Sequence, residues 1–298
     1  MAKLDLLSEL QKRVLICDGA MGTQLMAKGL TPGACGELWN LQNPDAVESI
    51  HRAYRQAGCD LITTNTFGAS SASLKKHDLD TQAAQINRAG AQIARRAAGD
   101  NAWVLGDMGP FGDFLEPLGD MTADQLLDIF QQQAAALYEG GSDAIIVETM
   151  QDPAELAVAV KAAKQASSRP VIATYAFSDG GNKTFRTMMG TVAQDAVARA
   201  IDAGADVVGT NCGTSLSFED YLRLAEQLVA AAGKVPVIVQ PNAGAPVMSG
   251  GKLVYRAQPQ DMATIVAPLI KLGVRIIGGC CGTSPDHLRA VAAAAKAQ

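Results

Sequence analysis

Short apolar segments alternate with longer segments of helical pattern along the whole chain. Each apolar segment is nearly continuous in its first half and polar or glycine-rich in its second, which is typical of parallel strands buried on both faces. We predict a β-strand in each of eight such segments: Val14–Ala20, Asp60–Phe67, Trp103–Pro110, Ala144–Met150, Val171–Phe177, Val207–Gly213, Val237–Gly244 and Ile276–Thr283.

The segments between the strands carry helix patterns and helix-start residues. Apolar residues at steps of three and four predict a helix over Pro44–Ala57, and a similar stripe runs from Met262 to Ile270. Thr122 to Gln125 has the form of a capping box and predicts a helix that runs to about Glu139. Ser284-Pro285 predicts an N-cap followed by proline at the first helical position.

A glycine recurs where a predicted helix ends and the next strand begins, at Gly58, Gly141, Gly204 and Gly273. Glycine suits the left-handed conformation that ends a helix. Eight strand–helix units without a dividing linker predict one α/β domain over residues 1–298, a closed (β/α)8 TIM barrel. An open doubly wound sheet is the alternative, although no Gly-x-Gly-x-x-Gly follows a strand.

The composition narrows the class of protein. In 298 residues, 48% hydrophobic and 18% charged residues suffice for a large core and exclude a disordered chain. The net charge of −5 and the lack of a basic stretch argue against nucleic acid as a partner. No apolar run reaches the ~18–20 residues of a membrane span, and the N-terminus lacks a signal-peptide core. We therefore expect a cytoplasmic protein.

Polar residues stand at the ends of the predicted strands, where the active sites of barrels lie. A single Asp or Asn there is as often a turn or helix cap as a ligand. These strand-end residues are Asp18, Asn65, Thr66, Asp107, Glu148, Tyr175, Cys212, Asn242, Cys280 and Cys281.

Three of the six cysteines can converge at one point. Cys212 ends the sixth strand and the pair Cys280-Cys281 ends the eighth, and alternate strands of a barrel contribute to the same layer. Three thiolates with an open fourth position are the ligand set of a catalytic zinc. The histidines, which we place on helix faces or the surface, offer no fourth ligand: His51, His77 and His287.

Consecutive residues of a regular strand point to opposite faces, so Cys280 and Cys281 reach one metal only if the strand ends or twists there. Gly278, Gly279 and Gly282 allow this. Two unrelated thiols or a vicinal disulfide are the alternatives. Cys17 and Cys59 are interpreted as small buried hydrophobes. Cys35 is interpreted as a loop residue without a visible partner.

Several motifs together resemble the zinc-dependent homocysteine S-methyltransferase family. Two segments most resemble its methionine synthase branch, the homocysteine-binding domain of cobalamin-dependent methionine synthase: Asp18–Thr23 and Gly112–Asp120. The motifs are Asp-Gly-Ala-Met-Gly-Thr (18–23), Thr-Thr-Asn-Thr-Phe (63–67), Val-Glu-Thr-Met (147–150), Asn-Cys-Gly (211–213), Pro-Asn-Ala-Gly (241–244) and Gly-Gly-Cys-Cys-Gly-Thr (278–283).

The resemblance implies a barrel with zinc bound by Cys212, Cys280 and Cys281, and with the homocysteine sulfur in the fourth position. It implies that Glu148 holds the ammonium group of homocysteine. It also implies that the loop after the first strand helps to hold the amino acid end of homocysteine; this loop comprises Asp18, Gly19, Ala20 and Met21. Asn65 and Thr66 would lie near the pocket.

The implied reaction is methyl transfer to the homocysteine thiol, giving methionine. Multidomain methionine synthases continue into folate, cobalamin and reactivation domains, whereas this sequence stops at Gln298 and has no Asp-x-His-x-x-Gly corrinoid motif. We therefore expect an excised domain or a stand-alone protein, with methylcobalamin on a separate corrinoid domain or protein as the donor.

Other functions remain open at this point. The donor can instead be S-methylmethionine or betaine, or the barrel can act on another thiol or on a corrinoid protein. A zinc-storing barrel that lacks a donor site is a non-enzymatic alternative. A phosphate-binding aldolase-type barrel, with Gly278-Gly279 as its anion loop, is disfavoured by the adjacent cysteines and by the lack of a strand-end lysine.

Overall fold

The computed structural model describes residues 5–181, 184–249 and 252–298. Its strands form one large parallel sheet and two small antiparallel hairpins. The strands are β1 (Leu15–Ile16), β2 (Leu61–Thr63), β3 (Trp103–Met108), β4 (Ala144–Met150), β5 (Val171–Tyr175), β6 (Ser178–Asp179), β7 (Phe185–Arg186), β8 (Val207–Asn211), β9 (Val237–Gln240), β10 (Val247–Ser249), β11 (Lys252–Val254) and β12 (Ile276–Ile277).

The large sheet closes on itself. Its eight strands follow the order β1-β12-β9-β8-β5-β4-β3-β2, and every described pairing in it is parallel. A parallel bridge between Cys17 and Leu61 joins the two outermost strands, and the Asp18 N–H donates to the Leu61 carbonyl at 3.1 Å. The predicted (β/α)8 barrel is confirmed, and the open sheet is excluded.

Helices follow the barrel strands and surround the sheet. The α-helices are α1 (Leu6–Leu10), α2 (Met21–Ala27), α3 (Trp39–Gln42), α4 (Pro44–Ala57), α5 (Ser71–Leu74), α6 (Ala83–Ala98), α7 (Ala123–Glu139), α8 (Pro153–Ala166), α9 (Ala193–Asp202), α10 (Phe218–Ala232), α11 (Pro259–Ala263), α12 (Val266–Leu272) and α13 (Pro285–Lys296). Short 3₁₀ helices lie at Lys75–His77, Asp80–Gln82 and Gly99–Asn101. No helix among the described residues is both long and apolar enough to span a membrane.

The stripe from Met262 to Ile270 forms two helices, α11 and α12, and the prediction of one helix there was wrong. The reason is Pro268. In a continuous helix its ring would clash with the carbonyl of Thr264, to which it has no N–H to donate. The chain therefore turns at Thr264 and Ile265 before the second helix begins.

β4 matches its predicted segment Ala144–Met150, whereas the other seven barrel strands are shorter than the predicted segments. In these seven the last residues of the segment form the loop at the C-terminal end of the barrel. The first segment shows the difference most clearly, because β1 covers only Leu15–Ile16 of Val14–Ala20. The two hairpins, β6–β7 and β10–β11, lie in the loops after β5 and β9 and were not predicted.

The two largest parts of the core are separated by the sheet. Side chains alternate along the strands, so Leu105 faces the inside of the barrel while Val104 packs under the helices. α1 belongs to the inner part, because Leu6 and Leu10 join the cluster formed by the first residues of the strands. This helix therefore closes the N-terminal end of the barrel. The inner cluster is Leu6, Leu10, Leu15, Cys17, Leu61, Trp103, Leu105, Ala144, Ile146, Ile172, Val207, Ile238 and Ile276.

Candidate metal centre and substrate pocket

Three cysteine sulfurs meet at the open, C-terminal end of the barrel. The Sγ atoms of Cys212, Cys280 and Cys281 all lie within 4.8 Å of one another, and those of Cys212 and Cys281 are 3.4 Å apart. Each of the three residues is half-buried. All six cysteines of the chain are free thiols, so the structure contains no vicinal disulfide.

Cys212 reaches this point because the chain turns sharply at the end of β8. Its φ of 47° lies in the left-handed region, which costs a non-glycine residue about 1–3 kcal/mol. The following residue is held in place by Tyr221, whose buried hydroxyl accepts the Gly213 N–H at 2.9 Å. The turn carries the Cys212 side chain away from the course of the strand.

The adjacent pair comes together because β12 ends at Ile277, three residues before Cys280. The Cys280 N–H donates to the Pro241 carbonyl at 2.8 Å, and the Cys281 carbonyl accepts from the Ala243 N–H at 2.9 Å. These bonds fix both backbones to the end of β9. Gly282, with a φ of 78°, completes the turn, so consecutive residues present their thiols to the same place.

Hydrogen bonds within the cluster set its charge. Bonds from Cys212 and Cys280 lower the pKa of Cys281 to about 3, whereas the pKa of Cys280 is raised because Cys212 and Cys281 hold its proton. The Asn211 side chain also donates to the Cys280 sulfur, at 3.8 Å. The cluster therefore favours a negative charge on the Cys281 sulfur.

Glu148 and Asp18 lie in the same mouth but have different surroundings. Glu148 is half-buried, and its side chain makes no hydrogen bond or ion pair with any other described residue. Burial, Asp18 and Cys281 raise its pKa to about 8. Asp18 is buried and accepts two hydrogen bonds from Thr63, one from the N–H and one from the hydroxyl, both at 2.8 Å. Burial nevertheless raises its pKa to about 7.

The loop from Gly19 to Met21 is packed against the segment that follows Cys281. A Cβ on Gly19 would lie 2.4 Å from Thr283 Oγ1, so this position has no room for a side chain. The Ala20 N–H donates to the same Oγ1 at 3.0 Å, and its carbonyl accepts from the Tyr54 hydroxyl at 2.9 Å. α2 begins at Met21.

The side chains of Asn65 and Thr66 are buried and engaged in the packing of loops. Asn65 donates to the Gly36 carbonyl at 2.9 Å, and the Thr66 hydroxyl donates to the Asp107 carbonyl at 2.8 Å. None of these bonds involves the cysteine cluster. Their place near the substrate stays a prediction.

Two residues of the site had no role in the sequence analysis. Asn211 stands in the Asn-Cys-Gly motif, and its neighbour Cys212 could have drawn attention to it. Tyr221 lies on α10 and gave no such indication, because its hydrogen bonds to Gly213 and Asn242 arise only in the fold.

The histidines and Cys35 complete the list of candidates. His51 lies on α4 but is fully buried, so a surface position was wrong for it. His287 is also buried, and its ring contacts the Ala257 carbonyl at 2.9 Å. His77 is half-buried in a 3₁₀ helix.

Among the described residues, only the three cysteines form a cluster that could hold a metal. Cys35 does have a partner, because its thiol donates to Glu37 at 3.4 Å.

The fold and the site define a (β/α)8 barrel with a thiol-rich candidate metal centre at its open end. Residues 15–295 match the sequence model of the family described as homocysteine S-methyltransferase. The chain belongs to this family, and the resemblance noted from its motifs is confirmed.

Two methionine synthases are among the most similar curated proteins, those of Mycobacterium leprae (strain TN) and Mycobacterium tuberculosis (strain ATCC 25618 / H37Rv). Each is 37% identical to this chain over 305 residues, an alignment that covers 97% of the chain and 25% of the relative. The chain thus spans about a quarter of the length of these relatives.

Solved structures share the architecture. The metallated form of the homocysteine methyltransferase MmuM from Escherichia coli matches with a TM-score of 0.77 and 23% identity, over 96% of this chain and 98% of that one. Its oxidized form gives 0.76 and 24%, with 95% and 97% covered. A methyltransferase from Methanosarcina mazei gives 0.61 and 12%, with 98% and 97% covered. At these identities the likeness shows the fold.

Proposed function

We propose that this barrel transfers a methyl group to the thiol of homocysteine, giving methionine, and that Cys212, Cys280 and Cys281 hold a zinc ion for this reaction. The observation that carries the proposal is the convergence of three sulfurs within 4.8 Å at the mouth of a barrel of this family. The metallated form of the Escherichia coli homocysteine methyltransferase supports a metal in this fold.

The residues present suit zinc. Thiolates are ligands that zinc prefers, and with Zn–S bonds of about 2.3 Å the ligands of a tetrahedral site stand about 3.8 Å apart. The observed spacing, from 3.4 Å to at most 4.8 Å, brackets that value. Three protein sulfurs leave one position for a substrate. Zinc bound by the three cysteines would supply the acidity that converts a substrate thiol into a thiolate at neutral pH.

The other side chains would position the amino acid. Glu148 has no partner of its own among the described residues, and its carboxylate would pair with the substrate ammonium. The N–H groups of Gly19 and Met21 make no hydrogen bond with a described residue and would take the substrate carboxylate, because the Ala20 N–H already donates to Thr283. The sulfur would then attack the methyl carbon as the bond to the donor's leaving group breaks.

We infer that methylcobalamin, carried on a separate domain or protein, is the donor. Curated methionine synthases are 37% identical to this chain, and it spans only 25% of their length. The loops after the strands also expose large apolar side chains, which suits contact with a large donor. These residues and their exposed fractions are Phe67 (40%), Phe114 (37%), Met188 (62%) and Met248 (67%).

The tryptophans argue against betaine, because a quaternary ammonium is usually bound in an aromatic cage. Trp103 belongs to the inner cluster at the closed end of the barrel, and Trp39 packs against the outer core. These are the only tryptophans in the chain. The alternatives remain possible outcomes of the test. They are S-methylmethionine or betaine as the methyl donor, and another thiol or a corrinoid protein as the substrate.

The metal centre is tested by the zinc content of the purified, reduced protein. We expect about one zinc per chain, and loss of most of it when Cys212, Cys280 or Cys281 is replaced by Ala. Cys35→Ala is the matched control, because this thiol contacts Glu37 outside the cluster. The barrel should remain folded in all four variants. Full zinc retention in the three cluster variants would refute the ligand set.

The donor is tested with zinc-loaded protein and homocysteine. Free methylcobalamin should be demethylated with formation of methionine, slowly because the corrinoid is not tethered. Betaine should give no methionine. Rapid turnover with betaine or S-methylmethionine, with methylcobalamin inert, would show that this chain contains its own donor pocket.

A further inference from the structure

Asp107 is a buried carboxyl to which neither the family resemblance nor the proposed reaction gives a role. Only 4% of the residue is exposed, and its Oδ1 atom has no hydrogen-bond partner among the described residues. Its backbone is fully engaged, since the N–H donates to the Thr64 hydroxyl and the carbonyl accepts from the Thr66 hydroxyl. An unpartnered buried carboxyl oxygen is costly, so it calls for a ligand.

The direction of the Asp107 side chain follows from its strand. Trp103 and Leu105 of β3 both belong to the inner cluster, and residues two apart on a strand share a face. Asp107 therefore faces the inside of the barrel, one layer above Leu105 and toward the open end.

Glu148 stands beside it on the neighbouring strand. Asp107 pairs with Ile146 of β4, an inner-cluster residue, and Glu148 lies two residues further on the same face. With strands ~4.8 Å apart and a rise of ~3.3 Å per residue, the two Cα atoms lie about 8 Å apart. Two carboxyls that project inward from such positions can both reach one cation between them.

Hydrogen bonds connect the Glu148 end of this pair to the cysteine cluster. The Asn211 amide donates to the hydroxyl of Thr149, the residue after Glu148, and to the Cys280 sulfur. Asp107, on β3, lies one strand further from Cys212 of the loop after β8 than Glu148 does on β4. In homocysteine the ammonium nitrogen is four bonds from the sulfur, so a thiol at the cluster places the nitrogen toward this pair of carboxyls.

We propose that Asp107 is a second binding residue for the substrate ammonium group, acting together with Glu148, and that the pair makes the pocket specific for thiols that carry an α-amino group. This inference rests on the proposed function. The inference goes beyond the proposed function because it assigns recognition of the amine to two inward-facing carboxyls on adjacent strands.

The test compares two thiols on zinc-loaded protein by isothermal titration calorimetry. Homocysteine and 4-mercaptobutyrate have the same chain and carboxylate, but the second lacks the amino group. The variant is Asp107→Asn, which keeps the shape of the side chain but cannot carry a negative charge. Asp113→Asn is the matched control, because Asp113 is an exposed carboxyl in the loop after the same strand.

The wild type should bind homocysteine more tightly than 4-mercaptobutyrate. Asp107→Asn should weaken homocysteine binding roughly 10- to 100-fold, the effect of a hydrogen bond to a charged group, and leave 4-mercaptobutyrate unchanged. Zinc content should stay the same, and the urea midpoint should not fall, because the substitution removes a buried carboxyl without a partner. The control should match the wild type.

Three results would overturn the assignment. Unchanged homocysteine affinity in Asp107→Asn would show that the carboxyl does not meet the substrate. Equal loss of both thiols, or a clear fall of the urea midpoint, would show a structural role instead. If the wild type binds neither thiol, the proposed function itself fails, and this inference fails with it.

Discussion

The Glu148 and Asp18 carboxyls lie in one barrel mouth and differ in what they bind. Both oxygens of Asp18 accept bonds from Thr63, so this carboxyl ties the end of β1 to β2 where the barrel closes. Glu148 has no such bond to a described residue. Asp18 therefore shapes the mouth, while Glu148 remains available to a ligand.

Replacement of Glu148 by Gln tests that availability. The variant should bind homocysteine more weakly by roughly 1.5–3 kcal/mol, the contribution of a hydrogen bond to a charged group. Zinc content should not change, because Glu148 is not one of the clustered sulfur ligands. Calorimetric titration of zinc-loaded protein measures the difference, with the exposed Glu219→Gln as control. A variant with wild-type affinity would rule out the pairing with the ammonium group.

At the scale of elements, β4 contains a bulge in the segment that carries Glu148. The pairing of β4 with β5 shifts register between Val147 and Met150, and Thr149 has a left-handed φ of 63°. Asn211 of β8 supports this conformation. Its oxygen accepts from the Thr149 N–H at 2.9 Å, and its amide donates to the Thr149 hydroxyl at 2.7 Å.

Removal of the Asn211 side chain should therefore loosen both the bulge and the cysteine cluster. Asn211→Ala removes the acceptor of the buried Thr174 hydroxyl and leaves the Thr149 N–H only its longer bond, to the Thr174 hydroxyl at 3.4 Å. We expect the free energy of unfolding to fall by about 3 kcal/mol, measured by urea denaturation. Thr174→Val, which removes one of these bonds, should cost about 1 kcal/mol. If Asn211→Ala is as stable as the wild type, Thr149 does not need this support.

Helices were predicted better than strands, for a local reason. α4 matches its predicted range of Pro44–Ala57, because its stripe and its ends are encoded within the segment. α7 begins at Ala123 after the predicted capping box, in which Thr122 and Gln125 exchange hydrogen bonds. Strand ends depend on the partner strand, and a sequence read segment by segment does not contain that information.

The same distinction explains what could be predicted of the site. The cysteines were found because their residue type is itself informative and because strands of equal parity share a layer. The support from Asn211 joins residues 62 positions apart, and the bonds of Tyr221 become visible only when α10 packs on the end of β9. Such contacts depend on how the elements pack.

At the scale of the whole molecule, His51 makes stability depend on pH. Burial lowers its pKa to about 4, and both ring nitrogens lack a partner among the described residues. Its unfolded pKa is about 6.5, so the unfolded chain binds more protons between these values. The contribution of neutral His51 to the free energy of unfolding is fully present above about pH 6.5, and it is lost as the pH falls toward 4.

His51→Leu should remove this dependence. We expect the gain in unfolding free energy to be about 2 kcal/mol larger at pH 5 than at pH 8, because only the wild type loses stability through this side chain. Urea denaturation of both proteins at both pH values gives the difference, and the carboxyls with raised pKa cancel in the comparison. An equal gain at the two pH values would mean that His51 titrates normally in the folded protein.

α1, at the closed end of the barrel, bears on the order in which ligands come and go. With Leu6 and Leu10 filling the N-terminal end of the barrel, a ligand reaches the cysteine cluster from the open, C-terminal end. A small substrate that lies beneath a large methyl donor can neither arrive nor depart while the donor covers the mouth. Under the proposed function, homocysteine would be the first ligand to enter and methionine the last to leave. The two amino acids would then compete for the same form of the enzyme, an order imposed by a helix at the end of the barrel opposite the sulfur atoms.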